Sequence, residues 1–168
     1  MKELASCFDI DGVLIDNEAR YKWSLEKIGG YKSLREAKKD IFWKYFLSEE
    51  ALKYDRPRRI GILLLNIARE KGYKIVIFTG RPLRLKHSTI RQLSSFNIYF
   101  DEIYFRRDND FRRDFDIKLE IIRGLLYKYS FMEVHDDERE VLEVLSKYLP
   151  KAKLYYHIGS TYIILNYP

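Results

Sequence analysis

Short apolar runs typical of buried strands alternate with amphipathic helical stretches along this chain, and this alternation restricts its possible folds more than any other feature. The strand-like runs are residues 4–10, 73–78, 101–105, 131–135 and 153–157, with 161–165 as a candidate edge strand or hairpin arm. The helical stretches that follow are residues 57–71, 83–95, 116–129 and 138–148. Strands that alternate with helices form parallel sheets, because each crossover between parallel neighbours needs a helix. The sequence therefore predicts an α/β fold whose mostly parallel sheet carries helices on both faces.

Two carboxylates stand at the carboxyl end of the first strand. Asp9 and Asp11 are two residues apart, so their side chains share one face of the strand. Carboxylates this close repel each other and lose hydration, and a divalent cation between them relieves both costs. Gly12 then allows the backbone to turn away without a Cβ penalty. Taken alone, the segment is equally compatible with a solvated acidic turn.

Farther along the chain, a hydroxyl, a glycine turn, an amine and two adjacent carboxylates follow one another. These residues are Thr79, Gly80, Lys118, Asp136 and Asp137. Ligands of doubly wound sheets bind beyond the carboxyl ends of the strands, which is where Asp9, Thr79 and Asp136 are expected. The order of these groups therefore favours one functional site over a set of unrelated turns.

Together, the Asp-x-Asp, strand-Thr, Lys and strand-Asp-Asp segments resemble the four motifs of the haloacid dehalogenase (HAD) superfamily of phosphotransferases. The resemblance extends from about Leu4 to about Ile158. It implies a HAD-like Rossmannoid core with a small helical cap insertion, and a phosphatase that forms an aspartyl-phosphate intermediate.

The resemblance also implies a role for each residue of the motifs. Asp9 would attack phosphorus, and Asp11 would protonate the leaving alcohol and then deprotonate the hydrolytic water. The Thr79 hydroxyl and the Gly80 amide would bind phosphate oxygens. Lys118 would offset negative charge on the nucleophile and on the phosphoryl group.

The implied cofactor is Mg²⁺, which cancels the repulsion between a phosphate and a carboxylate nucleophile. Its predicted ligands are Asp9, the backbone carbonyl of Asp11, and Asp136, with Asp137 as an outer ligand. His135 precedes these carboxylates, and packing is the commoner role for a histidine in that position.

The stretch 104–114 is rich in arginine and aspartate, and with FTGRP and Asp-Asp-Glu-Arg it is similar to the 3′-phosphatase domain of phage-type polynucleotide kinase. The arginines that this resemblance offers as contacts to substrate phosphates are Arg81, Arg106, Arg107, Arg112 and Arg113. A salt-bridged surface loop is the alternative for such a run. Glu138 separates the paired aspartates from Arg139, which leaves the role of Arg139 open. No P-loop motif occurs, so kinase activity is not expected.

Residues 18–56 interrupt the alternation with a basic, aromatic-rich helical segment. Between Glu18 and Arg59 there are 12 Lys/Arg and 7 Asp/Glu, and both tryptophans, Trp23 and Trp43, lie here. The segment predicts a small cap, while residues 1–17 and 57–168 form the catalytic core. Its basic and aromatic side chains fit a polyanion, although a packed helical pair with solvated lysines explains them equally well.

Three functions remain open at this point. A polynucleotide 3′-phosphatase is preferred, because a small cap cannot close over a metabolite. A phosphatase of small nucleotides or sugar phosphates is the alternative. The non-enzymatic alternative is a nucleic-acid or protein partner that binds Mg²⁺ without turnover. A single cysteine, Cys7, and the lack of a signal peptide or membrane-spanning run predict a cytoplasmic protein.

Overall fold

The computed structural model describes residues 2–32 and 38–167, which contain eight strands. They are β1 (Glu3–Phe8), β2 (Ile15–Asp16), β3 (Arg56–Pro57), β4 (Lys74–Pro82), β5 (Glu102–Arg106), β6 (Tyr129–Asp136), β7 (Lys153–Ile158) and β8 (Thr161–Leu165). The α-helices described are α1 (Glu18–Ile28), α2 (Lys39–Phe46), α3 (Glu49–Leu52), α4 (Arg59–Glu70), α5 (Lys86–Ser95), α6 (Asp114–Leu125) and α7 (Arg139–Ser146). No helix within these ranges is long and apolar enough to cross a lipid bilayer.

Six of the strands form one sheet in the order β5-β4-β1-β6-β7-β8. All neighbours are parallel except β8, which pairs antiparallel with β7 as a hairpin arm. The mostly parallel α/β fold predicted from the alternation is therefore confirmed.

Alternate residues of the central strands build a core on each face of the sheet. On one face, Cys7 and Val76 pack with residues of α6 and α7, such as Ile122 and Leu142. On the other face, Phe8 and Ile77 pack with residues of α4 and α5. Because strand side chains alternate between faces, near-continuous apolar strands such as β1 and β4 need helices on both sides.

The largest departure from the sequence prediction lies at the end of β4. The strand was expected to stop at Phe78, but it continues to Pro82, and its pairing with β5 resumes at Arg106 after an irregularity. Proline disfavours a helical conformation in the preceding residue, which keeps Arg81 extended. A short 3₁₀ turn over Leu83–Leu85 then delays α5 until Lys86.

The segment 18–56 leaves the core through β2 and returns through β3, which pair antiparallel. Its helices have a small core of their own, formed by Leu25, Ile28, Phe42 and Phe46. The aromatic rings of this segment mostly contact one another, as in the stack of Trp23 on Tyr54 at 5.2 Å. Residues 33–37 of the predicted cap lie outside the described residues.

Candidate active site

The pairing of β1 with β6 brings the first and last acidic motifs together. Phe8 is the register partner of His135, so Asp9 and Asp136 follow neighbouring strands at the same edge of the sheet. The Asp9 backbone N–H donates to the His135 carbonyl at 2.9 Å. The Glu138 N–H donates to Asp136 Oδ1 at 2.9 Å and orients that carboxylate.

Three carboxylates converge at this edge. Oxygens of Asp9, Asp136 and Asp137 all lie within 4.8 Å of one another. Gly12 has a φ of +77°, and a Cβ at that position would lie 2.1 Å from Asp137 Oδ2, so only glycine fits against this carboxylate. Clustered carboxylate oxygens are the donors that a hard cation such as Mg²⁺ prefers, and the residues present therefore fit that ion.

Burial and mutual repulsion shape the protonation of these groups. Removal from water raises the pKa of Asp9 well above its ordinary value, although Lys118 opposes the shift. Burial also raises the pKa of Asp136. Removal from water and the neighbouring Asp136 raise the pKa of Asp137 to about 7. The three carboxylates therefore resist carrying their full charge without a cation.

A single buried lysine joins the acidic group. Lys118 Nζ lies 3.0 Å from Asp9 Oδ2, 2.7 Å from Asp136 Oδ2 and 2.6 Å from Asp114 Oδ2. Burial alone would lower the pKa of Lys118, but these carboxylates raise it well above its ordinary value. We call Asp9, Asp114, Lys118, Asp136 and Asp137 the lysine cluster; it contains one ammonium and four carboxyl groups, three of which contact that ammonium.

The Asp11 side chain belongs to a different group. Its Oδ1 and Oδ2 accept from Arg81 Nη2 at 2.7 Å and Arg81 Nε at 2.9 Å, and Arg20 also contacts Oδ1. Arg81 Nη2 lies 3.1 Å from Asp55 Oδ2, and Arg20 Nε lies 2.9 Å from Asp55 Oδ1. We call Asp11, Arg20, Asp55 and Arg81 the arginine cluster.

The two arginines fix the charge of Asp11. Burial would raise the pKa of the Asp11 carboxyl, but Arg20 and Arg81 outweigh burial and hold that pKa well below its usual range. Burial is the larger influence on Asp55 and raises its pKa to about 6. Asp11 is therefore ionised in this arrangement, whereas Asp55 can gain a proton near neutral pH.

The phosphate-binding residues predicted from FTGRP, Thr79 and Gly80, lie near the end of β4. Thr79 is buried, and its Oγ1 accepts from the Arg81 backbone N–H at 3.1 Å. A Cβ on Gly80 would lie 2.6 Å from Asp114 Oδ1, so the strand approaches α6 closely only because glycine stands there. The structure therefore places Gly80 beside the Asp114 carboxylate, and Thr79 next to Gly80 at the end of β4.

The interpretation of Arg81 as a direct substrate contact does not agree with its position. Its side chain is fully buried, and besides Asp11 and Asp55 it donates to Thr89 at 3.3 Å and to Gln92 at 2.8 Å. A guanidinium enclosed in this way has no face left for a substrate phosphate, because its donors already have partners. Arg81 is instead placed to position Asp11.

The arginines of residues 106–113 divide into those that form ion pairs and one that does not. Most are paired: Arg106 with Asp114, Arg112 with Asp110 and Glu120, and Arg113 with Glu140. This is the salt-bridged loop that was the alternative interpretation. Arg107 is exposed, and it forms no side-chain hydrogen bond or ion pair with any residue that the structure describes. Arg139 is exposed at the start of α7, and its role stays open.

His135 packs beneath the carboxylates. Its ring stacks between Phe8 at 4.1 Å and Tyr155 at 4.2 Å, and its Nδ1 lies 3.1 Å from His157 Nε2. Burial lowers the pKa of His135 to about 4, so the ring is neutral near pH 7.

Sequence reasoning gave no site role to Arg20, Asp55 or Asp114. Asp114 stands four residues before Lys118 on α6, and this spacing on one helix face was a usable signal. Arg20 is nine residues from Asp11 in the chain, but neither Arg20 nor Asp55 follows a local pattern that marks it. Only the folded arrangement of α1 against β4 shows that they contact Asp11 and Arg81.

Comparison with known proteins gives one family match. A family model described as the polynucleotide kinase PNKP phosphatase domain matches residues 43–149. No curated protein sequence matches the chain.

Solved structures share the fold at low identity. A chain of the Pnkp1/Rnl/Hen1 complex is 23% identical, with a TM-score of 0.69, over 92% of this chain and 46% of that chain. A chain of the Pnkp1/Rnl/Hen1 RNA repair complex is 22% identical, with a TM-score of 0.67, over 92% of this chain and 42% of that one. A predicted phosphatase from Clostridium acetobutylicum is 18% identical, with a TM-score of 0.59, over 92% and 84% of the two chains. This chain therefore spans less than half the length of the first two.

Proposed function

Since the chain belongs to the family of polynucleotide kinase PNKP phosphatase domains and is a HAD phosphatase, we propose that it removes the phosphate from 3′ ends of nucleic acid strands. The convergence of Asp9, Asp136 and Asp137 beside Lys118 is the observation that supports the chemistry. The family match over residues 43–149 supports the choice of substrate.

Mg²⁺ is the proposed cofactor, with Asp9, Asp136 and Asp137 as the side chains that would hold it, together with the Asp11 carbonyl. When bound, Mg²⁺ would neutralise the carboxylates and the incoming phosphate. Lys118 already offsets part of this charge, and its ammonium opposes the rise in the pKa of Asp9 that burial causes.

Asp9 is the proposed nucleophile. Its Oδ1 accepts from the Ile10 N–H at 2.7 Å and its Oδ2 accepts from Lys118, so both oxygens have fixed directions. One carboxylate oxygen would form a bond to phosphorus while the bond from phosphorus to the leaving 3′ oxygen breaks. Water would then attack phosphorus of the aspartyl-phosphate, release inorganic phosphate and restore the Asp9 carboxylate.

Asp11 is the proposed acid and base, and the arginine cluster controls which form it takes. As a carboxylate it can deprotonate the hydrolytic water, which is the second half of the reaction. Protonating the leaving oxygen first requires a higher pKa than Arg20 and Arg81 allow in this arrangement. We propose that the negative charge of the bound substrate itself raises that pKa during the first step.

The remaining assignments follow from position. Thr79 and Gly80 would bind phosphate oxygens from the buried side. Arg107 and Arg112 would contact phosphates farther along the nucleic acid strand. The charge of Arg112 is partly offset by its ion pairs with Asp110 and Glu120. Residues 18–56 would act as the cap, because α1 supplies Arg20 to the buried side of the site.

A substrate panel tests this function. We would measure Mg²⁺-dependent phosphate release from matched 3′- and 5′-phosphorylated oligonucleotides, nucleoside monophosphates and sugar phosphates, each at low and high salt. The proposal predicts a preference for the 3′-phosphorylated strand, and an affinity for it that weakens steeply with salt.

Two results would contradict the proposal in different ways. Equal rates on a sugar phosphate, insensitive to salt, would indicate a small-molecule phosphatase. Release of p-nitrophenol from p-nitrophenyl phosphate at no more than the rate of the Asp9→Asn variant would exclude a hydrolase and leave the non-enzymatic alternative.

A further inference from the structure

Phe111 is unusually exposed for a large apolar side chain. It is 91% exposed, the highest value for a large hydrophobic residue in the described part of the chain. It lies between β5 and α6, at the same edge of the sheet as the candidate active site. A ring held almost entirely in water gains nothing from folding, and both its faces are accessible to a partner outside the chain.

The backbone around this ring is held firmly. Arg106 Nη1 donates to the carbonyl oxygen of Asp110 at 3.0 Å and to that of Arg112 at 2.8 Å, the residues on either side of Phe111. Arg106 Nη2 also donates to Asp114 Oδ1 at 3.0 Å. Asp114 contacts Lys118, which contacts Asp9. A chain of polar contacts therefore connects the exposed ring to the proposed nucleophile.

The surroundings of the ring are polar and partly cationic. Phe111 lines an open depression with Arg107, Asn109, Asp110 and Arg112. The Asp110 carboxylate is matched by Arg112 at 2.6 Å, so the exposed Arg107 supplies the uncompensated charge. An aromatic face beside a cation suits a base with its phosphate, since stacking and charge neutralisation act together in single-strand binding.

We propose that Phe111 stacks on an unpaired base near the 3′ end of the phosphorylated strand, while Arg107 contacts the phosphate backbone next to that base. The inference rests on the proposed function and names how the strand is bound beyond the reacting phosphate. Every base has a π face, so the contact tolerates any sequence. A protein partner would require a wider apolar patch, and the other side chains lining this depression are charged or polar.

The test compares Phe111→Ala and Phe111→Trp with the wild-type protein on a single-stranded 3′-phosphorylated oligonucleotide and on p-nitrophenyl phosphate. Phe111→Ala should raise KM for the oligonucleotide about 5- to 160-fold, because removing one base–aromatic stack costs about 1–3 kcal/mol. Phe111→Trp should restore it, and neither variant should change hydrolysis of p-nitrophenyl phosphate. Tyr127→Ala is the matched control, since Tyr127 is 78% exposed but precedes β6 at the opposite edge of the sheet.

An abasic scan locates the stacked base. Abasic residues are placed one at a time along the oligonucleotide, and KM is measured for the wild-type protein and Phe111→Ala. At one position the abasic site should weaken wild-type binding and remove the difference between the two proteins.

Three results would overturn the proposal. Equal KM values for the wild-type protein and Phe111→Ala, on a strand that both hydrolyse, would reject stacking and leave the proposed function intact. A concentration-dependent dimer of the wild-type protein that Phe111→Ala abolishes would assign the ring to a second copy of the chain. No release of phosphate from any 3′-phosphorylated strand by the wild-type protein would reject the proposed function together with the inference.

Discussion

The lysine cluster and the arginine cluster are neighbouring groups of buried charge that differ in balance. The lysine cluster contains one ammonium and four carboxyl groups, and the pKa values of Asp9, Asp136 and Asp137 are all raised. In the arginine cluster, two guanidiniums face two carboxylates, and the pKa of Asp11 is lowered. A buried group with unpaired negative charge is stable only with a further cation, whereas a balanced group needs none.

The clusters also differ in which parts of the chain they connect. The lysine cluster draws only on the core, from the ends of β1 and β6 and from α6. The arginine cluster joins β4 and the loop after β1 to α1 and to Asp55, which belong to the predicted cap. In the proposed function, the first cluster performs the phosphoryl chemistry and the second controls the proton on Asp11.

The largest expected effect is on turnover when the nucleophile is removed. Asp9→Asn should lower kcat on a 3′-phosphorylated oligonucleotide by roughly 10⁴- to 10⁶-fold, as for the loss of other covalent nucleophiles. Its melting temperature without metal should be equal to or above that of the wild-type protein, because the change removes one of the unbalanced charges. A large loss of melting temperature with activity retained would contradict the charge imbalance.

The next largest effect is expected on stability when the Lys118 ammonium is removed. Lys118→Met leaves the buried carboxyl groups without their cation and should lower the free energy of unfolding by about 3–5 kcal/mol in metal-free buffer. Denaturant unfolding with and without Mg²⁺ measures this free energy, and Mg²⁺ should restore part of the lost stability. Lys53→Met, at an exposed lysine paired with Glu50, is the control and should change stability little. Equal stability of the two variants would show that the Lys118 ammonium does not stabilise the carboxyl groups of the lysine cluster.

A smaller effect is expected when the balanced cluster loses one arginine. Arg20→Gln should cost about 1–3 kcal/mol, because Asp55 has a pKa raised to about 6 and can take up a proton. An aspartate with a raised pKa stabilises the fold most when protonated and loses that contribution as pH rises through the folded pKa. The variant should therefore be less destabilised at pH 5 than at pH 8, as measured by thermal unfolding.

The same variant should also change the chemistry at Asp11. Loss of one cation raises the pKa of Asp11, so the pH–rate profile for a substrate with a poor alcohol leaving group should move to higher pH. The profile for p-nitrophenyl phosphate should move less, because that leaving group needs little protonation. Unchanged profiles for both substrates would mean that Arg20 does not control Asp11.

The smallest expected effect is the pH dependence of metal binding. Mg²⁺ competes with protons for its ligands, and the pKa of Asp137 is raised to about 7. Calorimetric titration should show Mg²⁺ affinity rising from pH 6 to pH 8, by up to about tenfold per pH unit for one proton. Asp137→Asn should weaken this dependence, and an unchanged slope would remove Asp137 from the proposed ligand set.

The sequence predicted the lysine cluster far better than the arginine cluster, because its principal acidic residues end apolar strand patterns, whereas Arg20 and Asp55 follow no such pattern. Asp9 and Asp136 each follow a recognisable apolar strand, and parallel pairing of β1 and β6 places such strand ends side by side. The sheet itself was predictable because strand and helix patterns alternate. The extension of β4 was not, because pairing with β5 overrode the turn suggested by Gly80.

Long-range ion pairs leave no comparable signal. Arg20 lies in a helix whose other residues suggested an ordinary solvated face, and nothing near Asp55 marks it as buried. Arg81 was predicted to contact substrate phosphates, but Asp11 and Asp55 enclose it in the fold. Contacts of this kind depend on how the 18–56 segment packs on the core, which local pattern does not determine.

The central claim is that the unbalanced lysine cluster binds Mg²⁺ and that Asp9 accepts the phosphoryl group. A crystal structure of the protein with Mg²⁺ and beryllium trifluoride, which mimics an acyl phosphate, tests it most directly. The account predicts a beryllium adduct on an oxygen of Asp9 and a Mg²⁺ ion bound to Asp9 and Asp136. An adduct on another residue, or Mg²⁺ bound away from these carboxylates, would contradict it.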